Sequence, residues 1–190
     1  LVGDAFARPL NEALDASEAD GVIHDLTSVT RIVSTGATLS VDQKRAFQRR
    51  LPNAVIIDMI GASEGGPYAM SMTMPGTEPP ETAVFTAPPN VVTIDPMTDQ
   101  VLPRGSEVPG MLAATGPMPR GYWHDDAKTA QTFRTIDGVR YTVPGDFATI
   151  AEDGTVTLLG RGSVCINSGG EKIYPEEVEV AARKHPNVID

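Results

Sequence analysis

The sequence predicts a mixed α/β and β-rich fold: an α/β layer over residues 1–75, a β-rich subdomain over 76–161, and a closing strand–loop–strand–helix piece over 162–190. Three observations carry this expectation. A strand–helix–strand rhythm runs through the first part. The stretch Met74–Pro89, with Pro75, Pro79, Pro80, Pro88 and Pro89, breaks that rhythm and reads as an extended connector. Beyond it, two Asp-Gly pairs, each between strand-like runs, mark hairpins. With 41% hydrophobic and 21% charged residues, the 190-residue chain has the composition of a packed core rather than of disorder.

Taken in order, Phe6, Leu10, Ala13 and Leu14 follow helical spacing, and Pro9, suited to a first helical turn, sets the expected start near Arg8. Thr30–Ser34 reads as a short strand that turns at Gly36. Ser40 with Gln43 forms a capping-box pattern, opening a helix on which Phe47 and Leu51 lie one turn apart. Ala54–Met59, apolar and β-branched, reads as a buried strand. Val91–Ile94 and Met111–Thr115 are strand-like. Two hairpins follow: Thr132–Ile136 with Val139–Val143 around Asp137-Gly138, and Phe147–Ala151 with Thr155–Leu159 around Asp153-Gly154. Both residues of such turns must tolerate positive φ. The last piece has strand-like Val164–Ile166, a Gly169-Gly170 loop and strand-like Lys172-Ile173. A helix then begins with Pro175, carries Glu176, Glu177 and Glu179 early and Arg183 and Lys184 late, the charge order that suits the helix dipole.

The net charge of −10 argues against a broad nucleic-acid or anionic-membrane surface, and no apolar run reaches the roughly 20 residues of a membrane-spanning helix. No signal-peptide pattern opens the chain. One cysteine excludes an internal disulfide framework, so a cytoplasmic setting is expected. Cys165, between Val164 and Ile166, reads as a packed thiol. His24, His124 and His185 have no companion at metal-ligand spacing and read as structural or surface residues. Tyr122 and Trp123 read as packing. Gly61-Ala62-Ser63-Glu64-Gly65-Gly66 suits either a plain turn or close approach to a phosphate, its hydroxyl meeting an oxygen and its carboxylate holding Mg²⁺. It lacks the lysine of a Walker loop. Asp146 suits a turn or the two hydroxyls of a ribose. Arg161, between glycines, suits solvent, an anion or pairing with Asp146.

In order along the chain, these segments resemble the later core motifs of the acyl-adenylate-forming superfamily, which includes acyl-CoA synthetases, peptide-synthetase adenylation domains and luciferases. Ser34–Ser40 resembles the Gly-Gly-Ala-Pro-Leu loop, and Ile60-Gly61-Ala62-Ser63-Glu64 the Tyr-Gly-x-Thr-Glu motif. Gly110–Trp123 is similar to the segment before the nucleotide-binding hairpins. Tyr141–Asp146 resembles Tyr-x-x-Gly-Asp, Asp153-Gly154 through Gly160-Arg161 resembles Asp-Gly…Gly-Arg, and Asn167–Glu179 resembles Gly-x-x-Ile-x-Pro-x-Glu-Ile-Glu. The opening Val2–Leu10 and the run from Gly160 to Lys172 look most like actinobacterial-type fatty-acyl-CoA ligases, some of which take long-chain or sterol-derived acids.

The resemblance implies the later part of a large adenylation domain, with an α/β layer and a distorted β-barrel subdomain, followed by a hinge near Ser163 and the start of a small α+β C-terminal domain. It implies ATP, Mg²⁺ and CoA as cofactors and a fatty or related carboxylic acid as substrate. Glu64 would hold Mg²⁺ and Ser63 would contact phosphate. Gly36, Ala37 and Thr38, with Asp58, Met59, Ile60, Gly61 and Ala62, would line the nucleotide pocket. Asp146 would grip the ribose with help from Arg161, and Gly169 and Gly170 would face the CoA channel. Ile60 stands in place of an aromatic residue, Ser63 of Thr, Thr38 of Pro, and Ser163 of the usual hinge Asp or Lys. The family's phosphate loop is expected before Leu1 and its adenylation lysine after Asp190. The chain therefore reads as an internal excerpt, inactive alone. A homodimer is kept open. The alternatives are an adenylating enzyme that loads a carrier protein and a non-catalytic nucleotide-binding remnant.

Overall fold

A computed structural model of the chain describes residues 1–81, 83–161, 166–168, 171–173, 178, 181, 182, 185 and 188. The chain forms two units, one of Leu1–Gly61 with Ala69–Thr86 and one of Ala62–Tyr68 with Ala87–Asp190. It therefore leaves the first unit after Gly61, returns at Ala69, and leaves again after Thr86. The mixed α/β and β-rich fold expected from the sequence is present.

In the first unit, helix α1 (Gly3–Ala19) precedes strand β1 (Arg31–Thr35), helix α2 (Val41–Arg50) and strand β2 (Val55–Ala62). Strands β1 and β2 pair in parallel with α2 as the crossover, the expected βαβ unit, with Ser34 opposite Asp58 and Thr35 opposite Met59. The periodicity of α2 buries Phe47 and Leu51 on one stripe, and these pack with Ala7, Ile32, Leu39, Ala54 and Ile56. Strand β3 (Gly66–Thr73) follows β2 and pairs antiparallel with β4 (Phe85–Thr86), Met70 opposite Thr86.

Helix α1 departs from expectation. It starts at Gly3 rather than near Arg8, leaving Pro9 inside the helix. Tertiary partners replace the missing local start signal: Gly3 N–H donates to Ser34 Oγ at 3.1 Å, and Asp4 N–H to the Thr38 carbonyl at 2.9 Å. The buried face is Asp4, Ala7 and Asn11, while Phe6 and Leu10 lie on the exposed side. That inward face is polar because it serves the 38–43 segment. Ser40 is the N-cap of α2, accepting from Gln43 N–H, but the reciprocal half of the capping box comes from elsewhere. Asp4 Oδ1 accepts the Ser40 N–H at 2.7 Å, and Gln43 Oε1 instead accepts from Asn11 Nδ2 at 2.8 Å. Asp4→Ala leaves that N–H without a charged acceptor and is expected to cost about 1.5–3 kcal/mol by chemical denaturation of the full-length protein, with Asp4→Asn recovering part of the loss.

The described part of the second unit is β-rich and antiparallel: β5 (Val91–Ile94), β6 (Val101–Leu102), β7 (Gly110–Ala114), β8 (Phe133–Ile136), β9 (Val139–Thr142), β10 (Asp146–Ile150) and β11 (Thr155–Arg161). Strands run in the order β11-β10-β7-β5-β6, with β9 on β7 and β8 on β9. Every residue of β7 is buried, as befits a central strand. Ile94, Met111, Ala113, Tyr141 and Val143 form the core. At the first hairpin Asp137 (φ 49°) and Gly138 (φ 77°) are both left-handed, as the Asp-Gly signal requires. At the second only Gly154 is, at 90°; a turn closed by Gly154 N–H to the Ala151 carbonyl replaces the two-residue loop, and Asp153 Oδ1 accepts the Thr155 N–H.

Helix α3 (Asp126–Thr132) is absent from the sequence reading. Its signal is Asp125, whose side chain caps Lys128 N–H at 2.8 Å. Strands β12 (Ile166–Ser168) and β13 (Glu171–Ile173) pair antiparallel. Ser163, Cys165, Gly169, Gly170 and the Pro175 helix start lie outside the described residues.

Candidate active site

The glycine-rich segment is the tight turn Ser63-Glu64-Gly65 between β2 and β3, not the strand-to-helix loop of a Walker site. Gly65 N–H closes it onto the Ala62 carbonyl at 3.2 Å. A Cβ at Gly65 would sit 2.3 Å from Thr142 Oγ1 and 2.5 Å from Tyr68 Oη, so only glycine passes over this pair. The two hydroxyls share a buried hydrogen bond of 2.8 Å, and Thr142 Oγ1 also reaches the Ala114 carbonyl, at 3.3 Å. The turn is thus fixed to β7 and β9 of the second unit. Its outer side borders an open groove of about 360 Å³, lined also by Asn90, Thr115 and Pro117.

Both carboxylate oxygens of Glu64 are held. Ser63 Oγ donates to Oε2 at 3.0 Å, and Tyr122 Oη donates to Oε1 at 2.5 Å across 58 residues of sequence. The Tyr122 hydroxyl, above all, keeps the Glu64 carboxyl below the ordinary carboxylate range, and the same bond raises the Tyr122 phenol. Glu64 is therefore an anion at neutral pH. Tyr122 and Trp123, both read as packing from the sequence, behave differently: Trp123 is 88% exposed, while Tyr122 reaches the turn. Sequence reasoning missed the Tyr122 contact, since nothing local to Gly121-Tyr122 encodes a partner so far away.

Asp146 opens β10 directly opposite Arg161, the last residue of β11. Its charge, with that of Glu64, adds to burial in raising the Tyr68 phenol. Ser63, Glu64 and Asp146 all belong to the second unit.

The remaining pocket candidates lie in the first unit. Gly36, with φ of 82°, turns the chain out of β1, so Gly36, Ala37 and Thr38 leave beside the place where β2 continues into Ile60 and Gly61. Such ends of parallel strands are where open α/β sheets bind ligands. Asp58 is turned away, toward α2. Its Oδ2 lies 2.5 Å from Lys44 Nζ, and the Lys44 side chain is only 2% exposed. Burial pushes the Asp58 carboxyl above the usual range, and Lys44 pulls it back.

Among the described residues no group of three or more His, Cys, Asp or Glu side chains is arranged to hold a metal. Mg²⁺ brought in with a nucleotide takes one or two protein carboxylates and fills its octahedron with phosphate oxygens and water. Glu64, half-buried and ionised, is a donor of that kind.

No family model matches the chain. The fold, the motif order and the relatives nevertheless agree in likening the chain, over its whole length, to acyl-adenylate-forming enzymes. It is 49% identical over all 190 residues to a medium/long-chain-fatty-acid–CoA/3-oxocholest-4-en-26-oate–CoA ligase of Mycolicibacterium smegmatis, of which it spans 34%. It is 42% identical to a 3-oxocholest-4-en-26-oate–CoA ligase of Rhodococcus rhodochrous, again covering the whole chain and 34% of the relative. Among solved structures, apo MatB from Rhodopseudomonas palustris superposes with a TM-score of 0.65 at 28% identity, over 99% of this chain and 36% of that one. Its ATP-bound form gives 0.62 at 31%, over 83% and 30%. The chain thus spans about a third of the length of the curated relatives it matches.

Proposed function

We propose that the protein carrying this chain activates a fatty or sterol-side-chain carboxylic acid with ATP and passes the acyl group to CoA. The observation that carries this reading is the similarity along the whole length of the chain, at 49% and 42% identity, to ligases named for those acids. In the first step a carboxylate oxygen attacks the ATP α-phosphorus and the bond to pyrophosphate breaks, leaving an acyl-adenylate. In the second, the CoA thiolate attacks the acyl carbon and the bond to AMP breaks.

Each assigned residue meets one demand of these steps. Glu64 holds Mg²⁺, which neutralises charge on the phosphates when bound. Ser63, next to it, offers a hydroxyl to phosphate. Gly36, Ala37 and Thr38, with Met59, Ile60, Gly61 and Ala62, line the adenine side; Asp58 acts there by fixing the strand end through Lys44. Asp146 accepts the ribose hydroxyls, and Arg161 stands opposite it, so that the nucleotide is oriented for in-line attack. Gly169 and Gly170, outside the described residues, are assigned to CoA on the resemblance alone. No helix among the described residues is long and apolar enough to cross a membrane. A ligase that draws on ATP and CoA would work in the cytoplasm, where both are supplied.

The test is AMP formation by the full-length protein given ATP, Mg²⁺ and a long-chain fatty acid or a sterol-side-chain acid, with and without CoA. CoA-dependent AMP formation is expected. AMP formed equally without CoA would move the acceptor to a carrier protein, and none with any acid would overturn the reading.

A further inference from the structure

We propose that Tyr122 is a positioning residue for the Glu64 carboxylate, fixing one of its oxygens so that the other is presented to the nucleotide-bound divalent cation. The proposal rests on the reading of Glu64 as the magnesium carboxylate.

Tyr122 is held at both its backbone and its ring. Its backbone N–H donates to Thr129 Oγ1 at 2.8 Å, from helix α3. Its ring lies 5.9 Å from that of Phe133, tilted by 53°. Lys128 Nζ stands 4.2 Å from the ring centroid on a helix whose first turn is capped by Asp125. The preceding position packs against the same threonine, since a Cβ at Gly121 would come within 2.5 Å of Thr129 Cγ2. Backbone and ring are therefore anchored independently, and the phenol hydroxyl is what this anchorage delivers to Glu64. A tyrosine needed only for packing would be free to turn a half-buried hydroxyl toward water.

The two oxygens of Glu64 are consequently unlike. Oε1 is held at 2.5 Å by a donor on a rigid ring, Oε2 at 3.0 Å by the rotatable hydroxyl of the adjacent serine. An oxygen whose side-chain donor can rotate away is the easier one to hand to a cation, while the fixed donor sets the plane of the carboxylate. Partners of this kind, one bond behind a metal ligand, typically change metal affinity by about 10–100-fold when removed.

The test compares full-length wild type, Tyr122→Phe, Thr129→Val and Glu64→Gln, with bound Mn²⁺ measured by its EPR signal at a saturating concentration of a non-hydrolysable ATP analogue. Tyr122→Phe keeps the ring and its contacts with Phe133 and Lys128 while removing the hydroxyl. It is expected to weaken Mn²⁺ about tenfold with little change in melting temperature. Thr129→Val, which frees the backbone anchor, shifts affinity in the same direction and carries the test if Tyr122→Phe folds poorly. Unchanged Mn²⁺ affinity in these two variants, alongside a loss in Glu64→Gln, would overturn the positioning role and leave the Glu64 reading standing. Unchanged affinity in Glu64→Gln would overturn that reading, and the proposal with it.

Discussion

Lys44→Met is expected to lower the unfolding free energy of the full-length protein by about 3–5 kcal/mol at neutral pH, the cost of leaving one member of a buried ion pair alone. Lys44 Nζ and Asp58 Oδ2 are 2.5 Å apart, with side chains 2% and 10% exposed. Methionine fills the same volume, so the loss reports the stranded Asp58 charge rather than a cavity. The sign with pH follows from the same charge. Without Lys44, the folded-state Asp58 pKa stands further above its unfolded value, so stability is retained below the unfolded pKa and lost as pH rises through the folded one. The deficit against wild type should therefore be smaller near about pH 4 than near about pH 7. Replacing both members, Lys44→Met with Asp58→Leu, should recover most of the loss, since well-packed apolar pairs often match buried ionic ones. Urea denaturation of the wild type, the single and the double variant checks this; a Lys44→Met loss below about 1 kcal/mol at neutral pH would show that the pair is not stabilising in the sense argued.

The second large effect concerns Gly65. A methyl group there meets Thr142 Oγ1 at 2.3 Å and Tyr68 Oη at 2.5 Å, and both are buried and hydrogen-bonded to each other. Gly65→Ala must displace the Ser63–Glu64 turn, the strand β9 beneath it, or both. Overpacking of this sort costs about 1–3 kcal/mol in stability, and a catalytic group moved by an ångström can cost about 10²-fold in rate. AMP formation by the full-length variant is expected to fall by that order while the protein remains folded. Adding Thr142→Ala and Tyr68→Phe removes both obstructing oxygens and should restore part of the activity. An equal loss in both backgrounds would mean that the glycine matters for some reason other than room.

The sequence makes legible what is encoded in short contiguous strings. Asp137-Gly138 announces its hairpin because two adjacent residues must take left-handed backbone, and the structure gives both. Phe47 and Leu51 announce a buried helical stripe through their spacing. The Ser63-Glu64 string is recognisable because strand, small residues, hydroxyl and carboxylate are neighbours in the chain. What escapes is whatever depends on a partner far along it. Lys44 looks like a solvated residue of a charged helix, and only the βαβ geometry over Asp58 reveals it as buried. The start of α1 is set by Ser34 and Thr38, not by its own cap. The same Asp-Gly string at 153–154 forms a different turn, its loop closed by Ala151. Tyr122 finds Glu64 across 58 residues, a relation no local pattern records.

The interleaved path of the chain has a consequence for the order in which the protein is assembled. Residues 62–68 are made early yet belong with elements that follow Ala87. Tyr68 meets its hydroxyl partner Thr142 only after 74 further residues have been added, roughly 4–15 s at about 5–20 residues per second on the ribosome. During that interval β1, α2 and β2 have all the segments their parallel pairing requires, whereas the Ser63–Glu64 turn still waits for Tyr122, Thr142 and Asp146. The parallel β1–β2 pair is thus available for folding before the Ser63–Glu64 turn finds its partners. The closing of a loop this long, rather than any local preference, is the step that brings Glu64 to its tyrosine.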